Sequence, residues 1–296
     1  MHNFDDPSAH IGGRQRFVAG SLGTPPNPEF DGQFEVVFGN PPWTPLSMQG
    51  ESKIEKAADR KRIKALNDQF TTLGRTVLLA NPKLDQLAKT YVNPHNASDL
   101  PFVWRAMRWA KPGGILGFTL DARLILMQRG TFRAAREALI QACTVTGILN
   151  GSSLEKTAVW PGVDKPFIAF FARNDAPLPG HSFVLATPIR ENALSNRGEF
   201  RLDYTTAQTV TVADVLRYPW LLKTLTVGTS LDVEVVEKLH LAFGGNTVGK
   251  TWDASLVSGK GFNLNPRDVD RKAPIWLQNL PFFEVPADGT FPHFEG

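Results

Sequence analysis

A short apolar run at residues 34–38 (FEVVF) has the length and β-branched, aromatic character of a strand covered on both faces. It ends abruptly at Gly39 and the stretch NPPW. Residues 51–70 (ESKIEKAADRKRIKALNDQF) read as a charged helix with a thin apolar stripe at Ile54, Ala57, Ala58, Leu66 and Phe70. A polar loop follows at 93–100, where Ser98 or Asp99 suits the N-cap of a helix running to Ala110. The sequence KPGG then turns the chain into a second buried strand at 115–120 (ILGFTL). A helix at 131–142 and strands at 145–149 and 167–172 complete the pattern. Alternating strands and helices predict an α/β sheet, mostly parallel. The connection 150–166 has no helical period, which predicts that its two strands pair antiparallel, since a parallel crossover usually carries a helix.

The character changes after Arg173. NDAPLPG is linker-like, and short segments broken by Pro and Gly follow, with one clear helix at 230–243. A domain boundary is therefore expected near 174–181, with an irregular lead-in at 1–33, a first domain at 34–175 carrying an insert at 44–98, and a second domain at 176–296. The hydrophobic content of 42% over 296 residues is enough for a sizeable core. No apolar run approaches the ~20 residues of a membrane span, so no membrane partner is expected. The single cysteine, Cys143, excludes an internal disulfide framework and fits a reducing cytoplasm. Six scattered histidines lack metal-ligand spacing, and no metal site is expected. A net charge of +3 permits an anionic partner without requiring one.

The elbow at 40–43 is where the pattern turns into chemistry. Ligands of open α/β sheets collect at the carboxyl ends of strands. Pro41 and Pro42 offer no N–H, hold φ near −65° and push Asn40 out of the helical region. What remains is a set of acceptors, the Asn40 amide oxygen and nearby carbonyls, beside the flat face of Trp43. Acceptors suit a planar NH₂ group with two hydrogens to donate, and an aromatic face suits a flat ring, with stacking contributing about 1–3 kcal/mol per base. Accepting both hydrogens draws the amine lone pair out of conjugation and makes it nucleophilic.

NPPW after FEVVFG resembles the catalytic motif of amino-group methyltransferases that use S-adenosylmethionine, above all the N6-adenine DNA methyltransferases. The resemblance continues through KPGGILGFTL and the helix at 131–142 into VWPGVDKPFIAFFAR, roughly residues 34–173. It implies the second half of a Rossmann-like methyltransferase sheet with an antiparallel last strand, followed by part of a mixed α+β target-recognition domain. It also implies that Asn40 and the Pro41 carbonyl hold the adenine N6, that Pro42 shapes the elbow, that Trp43 stacks on a base flipped out of double-stranded DNA, and that Trp160 lies beside that base. The implied setting is a bacterial restriction-modification or phage-defence enzyme.

One departure is large. The family's glycine-rich cofactor loop precedes the NPPW strand, and the 33 residues before that strand here contain no strand, glycine turn and helix. The expectation is a fragment, truncated gene or split subunit that needs a missing N-terminal half or a partner subunit. DLPFVWRAMRW resembles the next, cofactor-flanking motif, in a register that leaves both Phe102 and Trp104 as candidates. Lys61 and Arg62 in the charged helix, and Lys260 and Arg267 in the Gly-rich loop 258–268, are candidate phosphate contacts; a solvated surface is the plainer explanation of each. Elbows of this type also serve methyltransferases of a protein glutamine or an rRNA guanine N2. An inactive DNA-specificity fragment is the non-enzyme alternative.

Overall fold

The computed structural model describes residues 30–244, except positions 49, 51 and 129. It forms two compact units, 1–236 and 237–296. The described part of the second is the end of one helix. The phosphate candidates Lys260 and Arg267, and the loop 258–268 that carries them, lie outside the described residues.

The first unit is built on a six-stranded sheet in the order β1-β2-β4-β3-β5-β6. The strands are β1 (Phe34–Gly39), β2 (Ala110–Asp121), β3 (Thr144–Asn150), β4 (Phe167–Arg173), β5 (Ser182–Ala186) and β6 (Ala207–Thr211). β1 runs parallel to β2, and β3 parallel to β5. β4 lies between β2 and β3 and is antiparallel to both, while β6 is antiparallel to β5. The sheet is thus mixed rather than mostly parallel. It does not stop at β4: the expected boundary at 174–181 falls inside it, because β5 joins β3 directly and β6 follows. SFVLA and AQTVT are too short to stand out in the sequence, yet they bury Phe183, Leu185 and Val210.

The helices are α1 (Lys53–Leu79), α2 (Asp85–Thr90), α3 (Leu100–Trp109), α4 (Arg123–Leu126), α5 (Gly130–Ala142), α6 (Asn192–Ser195), α7 (Val212–Arg217), α8 (Leu221–Val227) and α9 (Ser230–Ala242). α1 opens with a capping box, in which the Ser52 hydroxyl accepts from the Glu55 N–H and the Glu55 carboxylate accepts from the Ser52 N–H. It continues nine residues past the expected end at residue 70, because Leu73, Gly74 and Leu78 extend the buried stripe. The expected stripe is wrong at its start. Ile54, Ala57 and Ala58 are exposed, since the first two turns project beyond the core, and Ile63, Leu66 and Phe70 are the residues that pack.

Cross-strand partners alternate between the two faces of the sheet. The row Gly39–Phe118–Phe170–Ile148–Leu185 faces the main core, where burial of a side chain such as Phe170 stabilises by about 1.5–3 kcal/mol. The next row, Phe38–Gly117–Phe171–Gly147–Val184, faces outward. Phe38 is 77% exposed, and Val36, Ile115, Phe171 and Val184 are about half exposed. β1 is therefore not covered on both faces as its composition suggests. It is an edge strand with β2 as its one described neighbour, and an apolar run cannot report which of its faces is packed. KPGG belongs to β2 rather than to a turn before it. Gly113 adopts φ +72°, and a Cβ on Gly114 would lie 2.9–3.2 Å from the carbonyls of Lys111, Phe34 and Glu35, so both glycines are required where β2 bulges against β1. Among the described residues no helix is long and apolar enough to cross a membrane.

An apolar edge that no described strand pairs invites self-association. Phe38→Lys should make the purified chain markedly less prone to self-associate, while changing unfolding free energy by no more than about 0.5 kcal/mol. Light scattering across a concentration series checks this; a wild-type chain that stays monomeric throughout would show that the edge is not sticky.

Candidate functional site at the end of β1

Gly39 ends β1 opposite Phe118, so the next residue, Asn40, falls beside Thr119 of β2 on the outward face. The Thr119 hydroxyl donates to Asn40 Oδ1 at 2.7 Å. The Thr119 carbonyl accepts from Trp43 Nε1–H at 3.0 Å. One residue of the central strand thus holds both the amide and the aromatic ring. Asn40 and Pro42 are exposed, Trp43 is half-buried and Pro41 is buried.

A second anchor comes from the start of α3. The Ser98 hydroxyl lies 3.0 Å from the Pro42 carbonyl and 2.7 Å from the Thr44 carbonyl, its single proton shared between them. Asp99, one of the two expected N-caps, accepts from the Leu100 N–H at 2.9 Å, and its other oxygen accepts from the Asp121 N–H at 3.0 Å. Elbow, α3 and the end of β2 are therefore one hydrogen-bonded unit. The turn leading into α3 holds His95 and Asn96 at φ +46° and +55°, two consecutive non-glycine residues in the left-handed region. Such strain persists only where the surroundings fix it, and here the Asn96 carbonyl accepts from the Leu46 N–H at 3.1 Å while the His95 ring stacks on Phe132.

The expected aromatic pair does converge, but not as parallel plates. Trp43 stacks on Phe167 with ring centroids 5.8 Å apart and an interplanar angle of 13°. Trp160 stands nearly perpendicular to both, 5.5 Å from Trp43 and 4.8 Å from Phe167. No base-wide gap separates Trp43 from Trp160, and Phe167, which the sequence offered only as a strand residue, is the third member. Gly151 makes room for it: a Cβ there would lie 2.3 Å from the Phe167 ring.

Two cations lie against the elbow. Arg123 Nη2 donates to the Trp43 carbonyl at 3.4 Å, pairs with Asp121 at 2.8 Å and sits over the Phe132 ring. Lys165 Nζ donates to Thr44 Oγ1 at 3.3 Å. Lys61 and Arg62 are exposed on α1.

The residues expected beside a cofactor fare differently. Trp104 is fully buried in the core, its Nε1–H bonded to the Tyr91 hydroxyl at 2.7 Å, and it presents no face to a ligand. Phe102 is half-buried and packs against the core. Only residues 30–33 precede β1 in the described part of the chain, so the position of the expected glycine-rich loop lies outside the described residues. Among them there is no cluster of His, Cys, Asp and Glu that could hold a metal.

No family model matches this chain, and no curated protein matches it. Solved structures to which it is similar include the methyltransferase subunit of a type I restriction-modification system from Streptococcus thermophilus, at 12% identity over 69% of this chain and 40% of that one, with a TM-score of 0.41. The M protein of the type I restriction enzyme EcoKI is similar at 11% identity over 77% of this chain and 53% of that one, with a TM-score of 0.36. The type IIG restriction endonuclease BpuSI is similar at 14% identity over 73% and 23%, with a TM-score of 0.38. The chain thus spans about half or less of the length of these proteins.

Burial pushes the Asp99 carboxyl up to about 6, against the backbone N–H groups of Asp121, Leu100 and Asp99 that favour its charged form; the nearby Asp121 carboxylate raises it further. The folded state therefore holds this proton more tightly than the unfolded chain. The resulting stability is fully present below about pH 4 and is lost as pH rises through about 6, a change of about 3 kcal/mol. Urea unfolding at half-unit pH steps should show this fall between pH 4 and 6, and Asp99→Asn should flatten it. An identical slope in the variant would assign the titration to another group.

Proposed function

We propose that this chain carries the target-amine side of a methyltransferase that modifies adenine N6 in double-stranded DNA, within a bacterial restriction-modification or phage-defence enzyme. The observation that carries the reading is the elbow itself: an exposed amide oxygen and an aromatic ring, both held by Thr119, at the carboxyl end of a strand.

Asn40 Oδ1 and the Pro41 carbonyl accept the two N–H bonds of the amine. The nitrogen lone pair then leaves conjugation with the ring and becomes nucleophilic. Pro42 keeps the elbow rigid, and Trp43 stacks on the flipped base once Trp160 has moved off it to flank the base. No strong base is needed, because the amine bears its extra proton only after methylation and then loses it readily. The methyl donor is S-adenosylmethionine, whose site is completed by an N-terminal half or a partner subunit. Phe102 is the accessible candidate on this side of that site. The outward row through Phe38 and the edge of β1 that no described strand pairs provide a surface for such a partner.

The rim of Arg123 and Lys165 favours a polyanion over a peptide glutamine. Lys61 and Arg62 on α1, and Lys260 and Arg267, are further phosphate contacts in this reading. The second unit and the strands after β4 take the target-recognition role.

In the enzyme with its cofactor half supplied, Asn40→Ala should slow single-turnover methylation of a DNA duplex by about 10²–10³, with little change in duplex affinity. Trp43→Ala should also weaken capture of the flipped base, read as loss of 2-aminopurine fluorescence enhancement at the target position, and Trp43→Phe should retain most of both. Methylation by Asn40→Ala at the wild-type rate would reduce the amide to a turn residue. Separately, Lys61→Ala combined with Arg62→Ala should lower the slope of log K against log salt by about 0.9 for each phosphate contact removed; an unchanged slope would return both residues to the solvated surface.

A further inference from the structure

An asparagine at the end of a strand is usually restrained by its own backbone, its side-chain oxygen accepting from the N–H two residues on. At Asn40 that residue is Pro42, which has no N–H, and the residue between is Pro41, which has none either. The sequence has removed the local donors at the position where an exposed amide has to hold one orientation. A bare Asn40 would rotate about its terminal torsion, whose wells are broad.

Across the parallel pair, Thr119 Oγ1 lies 2.7 Å from Asn40 Oδ1, the distance of a good O–H···O bond. An amide oxygen has two lone pairs, so this bond leaves one for a second donor. The Thr119 main chain is itself fixed: Leu116, Phe118 and Leu120 of the same strand are buried, the register with β4 pairs Thr119 with Ala169, and its carbonyl accepts from Trp43. We infer that Thr119 is the positioning residue of the elbow, its hydroxyl replacing the donors that Pro41 and Pro42 lack, so that Asn40 presents one aimed lone pair to the target amine. The aim toward an amine rests on the function proposed above; the clamp on Asn40 does not.

The test separates the two. In the 296-residue chain, the Asn40 side-chain NH₂ resonance, assigned by its loss in Asn40→Ala, reports the order of the amide directly. Wild type and Thr119→Ser should show a restrained group, with an order parameter near the rigid value of about 0.85, and Thr119→Val should fall below about 0.6. The Trp43 Nε1–H resonance is the internal control, because its acceptor is the backbone carbonyl and survives the substitution. Should valine disturb that signal, Thr119→Ala removes the hydroxyl without steric demand and must loosen the amide in the same way. An amide equally ordered without the hydroxyl, or equally loose in Thr119→Ser, overturns the clamp. In the enzyme with its cofactor half supplied, Thr119→Val should lose about 10- to 100-fold in the single-turnover rate at unchanged KM for the duplex, restored by Thr119→Ser. A loosened amide with an unchanged rate would leave the clamp standing and remove Asn40 from the chemistry.

Discussion

The parallel pairing of β1 with β2 decides where any chemistry on this face can occur. With Phe38 beside Gly117 and Gly39 beside Phe118, the next residue of each strand brings Asn40 to Thr119. A slip of one residue would put Asn40 beside Leu120 and turn Phe38 toward the core face. Several contacts set this register before the elbow is reached. The N–H groups of Gly32 and Gln33 donate to the carbonyls of Arg108 and Trp109, Asp31 pairs with Arg108, and Glu35 pairs with Lys111. The close approach at Gly114 then allows the bulge that brings the two strands back into step. Exposed ion pairs contribute little energy on their own. Their work here is alignment, at an edge strand that has one described neighbour.

A buried cation explains why the segment after β4 belongs to the same compact unit. Arg136 of α5 is almost wholly buried; its guanidinium donates to the carbonyls of Leu124, Ile125 and Met127 at the end of α4, and to the Pro219 carbonyl between α7 and α8. Burial holds its pKa down to about 10, so it stays charged at neutral pH. A buried charge with its bonds removed costs several kcal/mol, and here some of those bonds lie on opposite sides of the expected domain boundary. Separating the two segments would leave the charge short of a partner. β5 and β6 add ladder bonds to the same sheet, and Leu221, Leu222 and Leu225 of α8 join the same core.

The parts of the fold that were legible in the sequence are those written in local pattern. The strands β1 to β4, helices α3 and α5 and the elbow each carry periodicity or turn chemistry over a few consecutive residues. What could not be read depends on partners far along the chain. Thr119 reaches Asn40 across 79 positions, and Ser98 reaches Pro42 across 56. A threonine inside ILGFTL is an ordinary strand residue until its neighbour is known. Exposure was misjudged for the same reason: FEVVF has the composition of a buried strand, but burial of its outward row depends on what packs there. Trp104 is the converse case. A tryptophan in a suggestive motif proved to be a core residue, with the Tyr91 hydroxyl satisfying its N–H.

The aromatic triangle sets an energetic condition on the proposed capture of a base. In the free protein Trp43, Trp160 and Phe167 satisfy one another, and an aromatic pair of this kind contributes about 0.5–1.5 kcal/mol beyond its buried area. In the proposed capture a base stacking on Trp43 would give up part of this cluster, in which Trp160 stands 5.5 Å from Trp43. It gains about 1–3 kcal/mol from stacking, so the exchange yields little net energy. Unpairing and unstacking the base from a duplex costs a few kcal/mol more. Under that proposal stacking alone would not hold a flipped base, and the balance would have to come from bonds to its amine and from cations on the backbone. Those bonds cannot form well unless Asn40 is already oriented when the base arrives, because ordering the amide at that moment would subtract from a margin this narrow. For the function proposed above, a closed aromatic cluster and a pre-aimed acceptor would be two halves of one requirement: weak stacking would exclude bases that bring no amine to the elbow, and the restrained amide would retain those that do.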